Sequence, residues 1–158
     1  MKKIRLMRPL RARLTQLLMA GLLVMSFPVQ ALDAINTTFF DNLAIKGYDP
    51  VAYFVENRAV KGKAKFEHEW MEANWRFSSK NNLEAFKRNP DKYAPAYGGY
   101  CAYAVSQNDI AGIEPEQFTI YKGRLYLNYN QSINQKWLSN RDSYITDANR
   151  YWPELLKK

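Results

Sequence analysis

Residues 64–78 read AKFEHEWMEANWRFS, and the alternation inside this stretch decides the fold. Phe66, His68 and Trp70 fall on one parity, with Glu67 and Glu69 between them. That two-residue period belongs to a strand with one face on a core and the other in water. Glu72-Ala73-Asn74 is expected to turn the chain, after which Trp75 and Phe77 resume the apolar parity. The stretch therefore predicts a β-hairpin in which His68 points the same way as Phe66 and Trp70, toward the core.

Working outward, Lys46-Gly47-Tyr48-Asp49-Pro50 has the chemistry of a turn leading into a helix. Gly47 tolerates positive φ, Asp49 offers a capping carboxylate, and Pro50 suits a first helical turn, so a short helix is predicted over Pro50–Phe54. On the other side of the hairpin, Ser78-Ser79 caps a helix carrying Leu83, Ala85 and Phe86 that ends before Asn89-Pro90. Residues 91–106 read as a loop or short helix against the sheet. A second hairpin follows, with Phe118 and Ile120 on one strand, a Lys122-Gly123 turn, and Leu125 and Leu127 on the other. The last part is helical from Gln131 to Leu138, breaks near Ser139-Asn140, and resumes at Asp142, with Pro153 expected to end or kink it. The sum is an α+β fold: a small antiparallel sheet of hairpins with helices packed on it, in a single domain over 32–158. Its motif-rich region is 45–106, and its C-terminal hairpin and helices occupy 117–156.

The first 31 residues have a different character. Lys2, Lys3, Arg5, Arg8, Arg11 and Arg13 precede an apolar run over 17–27, and Val29 and Ala31 stand where a signal peptidase reads. This predicts a cleaved secretory signal over 1–31 and a periplasmic location; the run is short for a membrane span, and no later segment supplies one. The whole chain has 23 basic and 15 acidic side chains, a formal +8. Without the leader, 17 basic face 15 acidic side chains, a formal +2. The basic balance thus belongs mostly to the leader, which removes the main ground for a nucleic-acid partner. Cys101 is the only cysteine, so no internal disulfide forms and stability rests on packing.

Common catalytic signatures are absent: there is no CxxC, HExxH or phosphate-binding glycine loop, and no nucleophile elbow. His68, the only histidine, and Cys101 are the two residues that could begin a copper or zinc site. Each also has a plain reading, His68 as a hydrogen-bonding core residue and Cys101 as a small buried thiol. Tyr48, Tyr53, Tyr93, Tyr97, Tyr100 and Tyr103 either line a ligand pocket or pack the core.

Several motifs in order, GYDPVAYF over 47–54, WRFSS over 75–79, Asn89-Pro90, Lys92-Tyr93 and YGGYC over 97–101, resemble the YHS domain family, in particular its exported bacterial branch. The resemblance implies kinship with metal-sensing zinc-knuckle-like modules, some attached to copper-transporting ATPases, and a general association with metal binding. It also implies which positions carry thiolates in the metal-binding members, and these correspond here to Ala52, Ser78 and Asn82, none of which is a cysteine. The expectation is an exported, non-enzymatic binding protein taking a metal ion, copper first, at His68 and Cys101, with Tyr48, Asp49 and Tyr100 shaping the site. The alternative is a metal-free ligand-binding or protein-interaction module that kept the fold and lost the thiolates. A third reading is thiol redox chemistry at Cys101.

Overall fold

The computed structural model describes residues 31–158, so the predicted leader lies, but for Ala31, outside the described residues. In chain order the elements are α1 (Ala52–Val55), β1 (Lys63–Trp70), β2 (Ala73–Phe77), α2 (Lys80–Arg88), α3 (Pro90–Tyr93), α4 (Ala102–Ser106), β3 (Glu114–Tyr121), β4 (Arg124–Asn128), α5 (Gln131–Ser139) and α6 (Arg141–Leu155). Two 3-10 turns, Ile45–Gly47 and Ala96–Gly99, complete the set. The fold is α+β, as the alternation predicts. No helix among the described residues is long and apolar enough to cross a membrane.

The first hairpin closes one residue earlier than its sequence suggests. Met71 and Glu72 make the turn, with φ of 50° and 58°, and Ala73 and Asn74 already pair with Trp70 and Glu69. Two successive left-handed residues match the twist of the flanking strands. Ala73 belongs to the strand because its methyl group is fully buried with Trp75 and Phe77 on the core face. His68 stands directly opposite Trp75, and cross-strand partners share a face, so its inward orientation is as expected.

The two hairpins form two separate two-stranded sheets rather than one. The reason lies at their edges. Leu43 bridges to Asn74 beside β2, and Cys101 bridges to Leu127 beside β4, so short chain segments occupy the hydrogen-bonding edges that the hairpins could have offered each other. β4 is buried on both faces. Leu125 and Leu127 join Trp75, Phe77, Phe86 and Tyr53 in one core, while Tyr126 faces a second core with Trp137, Val105 and Leu155. Tyr126 and Trp137 lie 5.1 Å apart between ring centroids.

The helix starts follow local chemistry. Ser79 Oγ accepts from the Asn82 amide at 3.1 Å and starts α2, while Asn130 Oδ1 accepts from the Ile133 amide at 2.9 Å and starts α5. Asn140, at φ −145°, separates α5 from α6. Pro153 does not end α6, which continues to Leu155. Proline removes one backbone donor there, but so close to the C-terminus the helix closes around the loss.

Candidate functional site

Asp49 is a charged side chain with no exposure to solvent, and the residues around it are those that the family resemblance singles out. Its Oδ1 accepts from the backbone amides of Val51 at 2.9 Å and Ala52 at 3.2 Å, which caps α1. Its Oδ2 accepts from the Ser78 amide at 2.8 Å, the Ser78 hydroxyl at 2.7 Å and the Asn82 side-chain amide at 2.7 Å. Asn82 also donates to Ser78 Oγ at 3.2 Å. Five donors and no acceptor face the two oxygens, the pattern a carboxylate takes. The three positions at which the resemblance puts thiolates, Ala52, Ser78 and Asn82, thus converge in space. They supply a backbone amide, a hydroxyl and a carboxamide, all spent on Asp49.

That donor set does not suit copper or zinc, which take thiolate and imidazole. Among the described residues, no group of three or more His, Cys, Asp or Glu side chains could hold a metal ion. His68 and Cys101 go to different elements. His68 is half-buried on β1 opposite Trp75. Cys101 is 1 % exposed at the start of α4, with its thiol donating to Asn128 Oδ1 at 3.5 Å. Asn128 is itself fully buried and also accepts from the Tyr103 amide at 3.1 Å while donating to Asn134 Oδ1 at 3.0 Å. Cys101 therefore sits in a satisfied polar junction inside the core. Native protein treated with a water-soluble disulfide reagent is expected to leave the thiol unmodified, with full reaction only in denaturant. Stoichiometric labelling in seconds without denaturant would contradict this placement.

Tyr48 and Tyr100 do not join Asp49 in one pocket. The Tyr48 hydroxyl donates to Glu116 Oε1 at 3.0 Å, and the Lys61 ammonium lies 4.6 Å from its ring centre. Donation to Glu116 holds the Tyr48 phenol above its ordinary range, with burial and the charges of Glu116 and Glu114 adding to the effect. Tyr100 donates to the Asp33 carbonyl at 3.1 Å, and its ring packs 5.8 Å from that of Trp152. Burial raises its phenol too, as it does for Tyr53 and Tyr97. These hydroxyls remain protonated donors at neutral pH.

A cleft of about 310 Å³ opens elsewhere, lined in part by Trp70, Asp91, Tyr97, Arg124 and Trp152. Its floor includes Ala34, Ile35 and the Gly98 backbone. Asn36 ties this N-terminal strap down, its amide donating to the Gly98 carbonyl at 2.9 Å and its side chain to the Gly99 carbonyl at 3.1 Å. Of the wall residues, the sequence places Trp70 on the apolar parity of β1 and Tyr97 among the tyrosines that either line a pocket or pack the core. It had missed Asp91, Arg124 and Trp152 as site residues, because nothing in their spacing links three distant segments.

Fold and site together define a small α+β module organised around a buried, fully bonded carboxylate. Residues 51–97, which run from the first turn after Asp49 to the 3-10 turn beside the cleft, match the family model of the YHS domain. The matched segment lies inside the 45–106 region whose motifs carry the resemblance. No curated protein and no solved structure matches the chain.

Proposed function

We propose that this chain is an exported, non-enzymatic binding module in which the family's ligand positions have become a structural hydrogen-bond knot. Its ligand is then held by a surface cleft. The observation that carries this reading is Asp49, whose five donors include all three positions where thiolates would stand. Export rests on the leader pattern of residues 1–31.

The competing reading is copper binding at His68 and Cys101, and the YHS match itself favours it, because the family is associated with metal binding. Titration with Cu(I), Cu(II) and Zn(II), followed by gel filtration and metal analysis, separates the two. The expected result is far less than one metal retained per chain. One retained equivalent would overturn the metal-free reading, and its loss in His68→Ala or Cys101→Ser would place the ion on that pair.

A further inference from the structure

The cleft beside the N-terminal strap combines two features. Its walls are aromatic and fixed from behind. Trp70 is braced edge-on by Trp75 at 5.7 Å and Phe86 at 5.6 Å, and Trp152 is braced edge-on by Tyr97 at 6.1 Å and at a tilt by Tyr100 at 5.8 Å. Both tryptophans are partly exposed and both line the cleft. Tyr97 is held by its hydroxyl, which donates to Asn149 Oδ1 at 2.9 Å.

The second feature is charge. Arg124 and Asp91 both line this cleft and both are exposed. Among the described residues neither forms an ion pair, with the other or with any other side chain, although Arg58, Arg76 and Arg150 each take a carboxylate. Arg124 likewise makes no side-chain hydrogen bond and covers no aromatic ring among the described residues, whereas Arg141 lies 3.4 Å over Tyr121. A guanidinium and a carboxylate on one cleft that stay more than 4 Å apart leave room for a molecule carrying both opposite charges. Arg124 is suited to a carboxylate, bidentate and charge-assisted, and Asp91 to an ammonium. Trp70 and Trp152 would flank a flat apolar body and add attraction for the cationic end. The size is at the lower end of small-molecule sites.

We propose that this cleft binds a small zwitterion with a flat apolar body, the chemical class of a free aromatic α-amino acid, with Arg124 on its carboxylate and Asp91 on its ammonium. This rests on the reading of the chain as a ligand-binding module and names the ligand class of its cleft. A peptide terminus would present only one of the two charges, and a simple aromatic acid lacks the ammonium.

The test is titration of the protein purified from cells expressing the full chain, followed through the indole N–H signals in two-dimensional NMR. Trp70→Phe and Trp152→Phe assign the two relevant signals. The probe is L-phenylalanine, with N-acetyl-L-phenylalanine, L-phenylalaninamide and 3-phenylpropionate as arms that each remove one charge. Saturable shifts of the Trp70 and Trp152 signals with L-phenylalanine are expected. Each modified probe, and each of Arg124→Ala and Asp91→Asn, should weaken binding by about tenfold, the worth of one charge-assisted hydrogen bond. Both variants change exposed side chains, so a native spectrum without ligand serves as their folding control. Absence of saturable shifts overturns the proposal, as does equal binding of the amide, the acetyl derivative or 3-phenylpropionate. Metal uptake measured on the same preparation keeps the two readings apart: retained metal sinks the metal-free module, whereas a metal-free protein deaf to L-phenylalanine sinks only the zwitterion site.

Discussion

Asp49→Ala is expected to destabilise the protein by about 3–5 kcal/mol, among the largest effects a single substitution produces here. The carboxylate is fully buried, and its removal strands donors that water cannot reach. The amides of Val51 and Ala52 lose their cap, and the amide of Ser78 loses its acceptor at the entry to α2. A buried donor without a partner costs about 1–3 kcal/mol, and a lost cap about 1 kcal/mol. Asp49→Asn discriminates further. Its remaining oxygen still caps α1, but its own N–H₂ now faces the donors of Ser78 and Asn82, so a loss of about 2–3 kcal/mol is expected. Ser78→Ala removes one hydroxyl and leaves the backbone bond in place, so about 1 kcal/mol is expected. Urea unfolding followed by tryptophan fluorescence measures the series, read as midpoint shifts at constant slope. If Asp49→Ala falls within 1 kcal/mol of the parent, the knot is not what holds α1 against α2.

The knot also explains what sequence reading reached and what it did not. The alternation in 64–78, the Lys122-Gly123 turn and the Ser79 cap are local features, and each forms as read. Asp49 as a capping residue was also local, since its Oδ1 partners are two and three residues away. Its Oδ2 partners are 29 and 33 residues away, and only the tertiary fold brings Ser78 and Asn82 to the residue that precedes α1. The same limit hid Asn128, an unremarkable strand residue that holds Cys101 in place across 27 residues. It also hid the cleft, whose aromatic and charged groups come from β1, α3, β4 and α6. The strap over 32–38 shows neither the strand nor the helix period. It is nevertheless pinned through backbone hydrogen bonds and the buried Ile35, which side-chain patterns do not encode.

Gly98→Ala is the second large effect, expected at about 3 kcal/mol together with loss of the cleft. Tyr97, Gly98 and Gly99 are three successive left-handed residues, with φ of 55°, 59° and 83°. A Cβ at Gly98 would meet the Ala34 carbonyl oxygen at 1.9 Å, a distance no side-chain rotation relieves because both partners are backbone. The strap must therefore lift, and with it go the Asn36 bonds to Gly98 and Gly99 and the Tyr100 bond to the Asp33 carbonyl. Gly123→Ala is the control for conformational strain alone. Its φ is 75°, yet nothing lies within 4 Å of the added methyl, so it should cost only about 1 kcal/mol. Urea midpoints give the difference between the two variants, and hydrogen exchange at residues 32–38 shows whether the strap has detached. Since Ala34 and Ile35 form part of the cleft floor, Gly98→Ala should also abolish the L-phenylalanine response, while Gly123→Ala keeps it. Equal stability losses in the two variants, with unchanged exchange over the strap, would mean that the close approach of Gly98 to Ala34 does not hold the N-terminal strap in place.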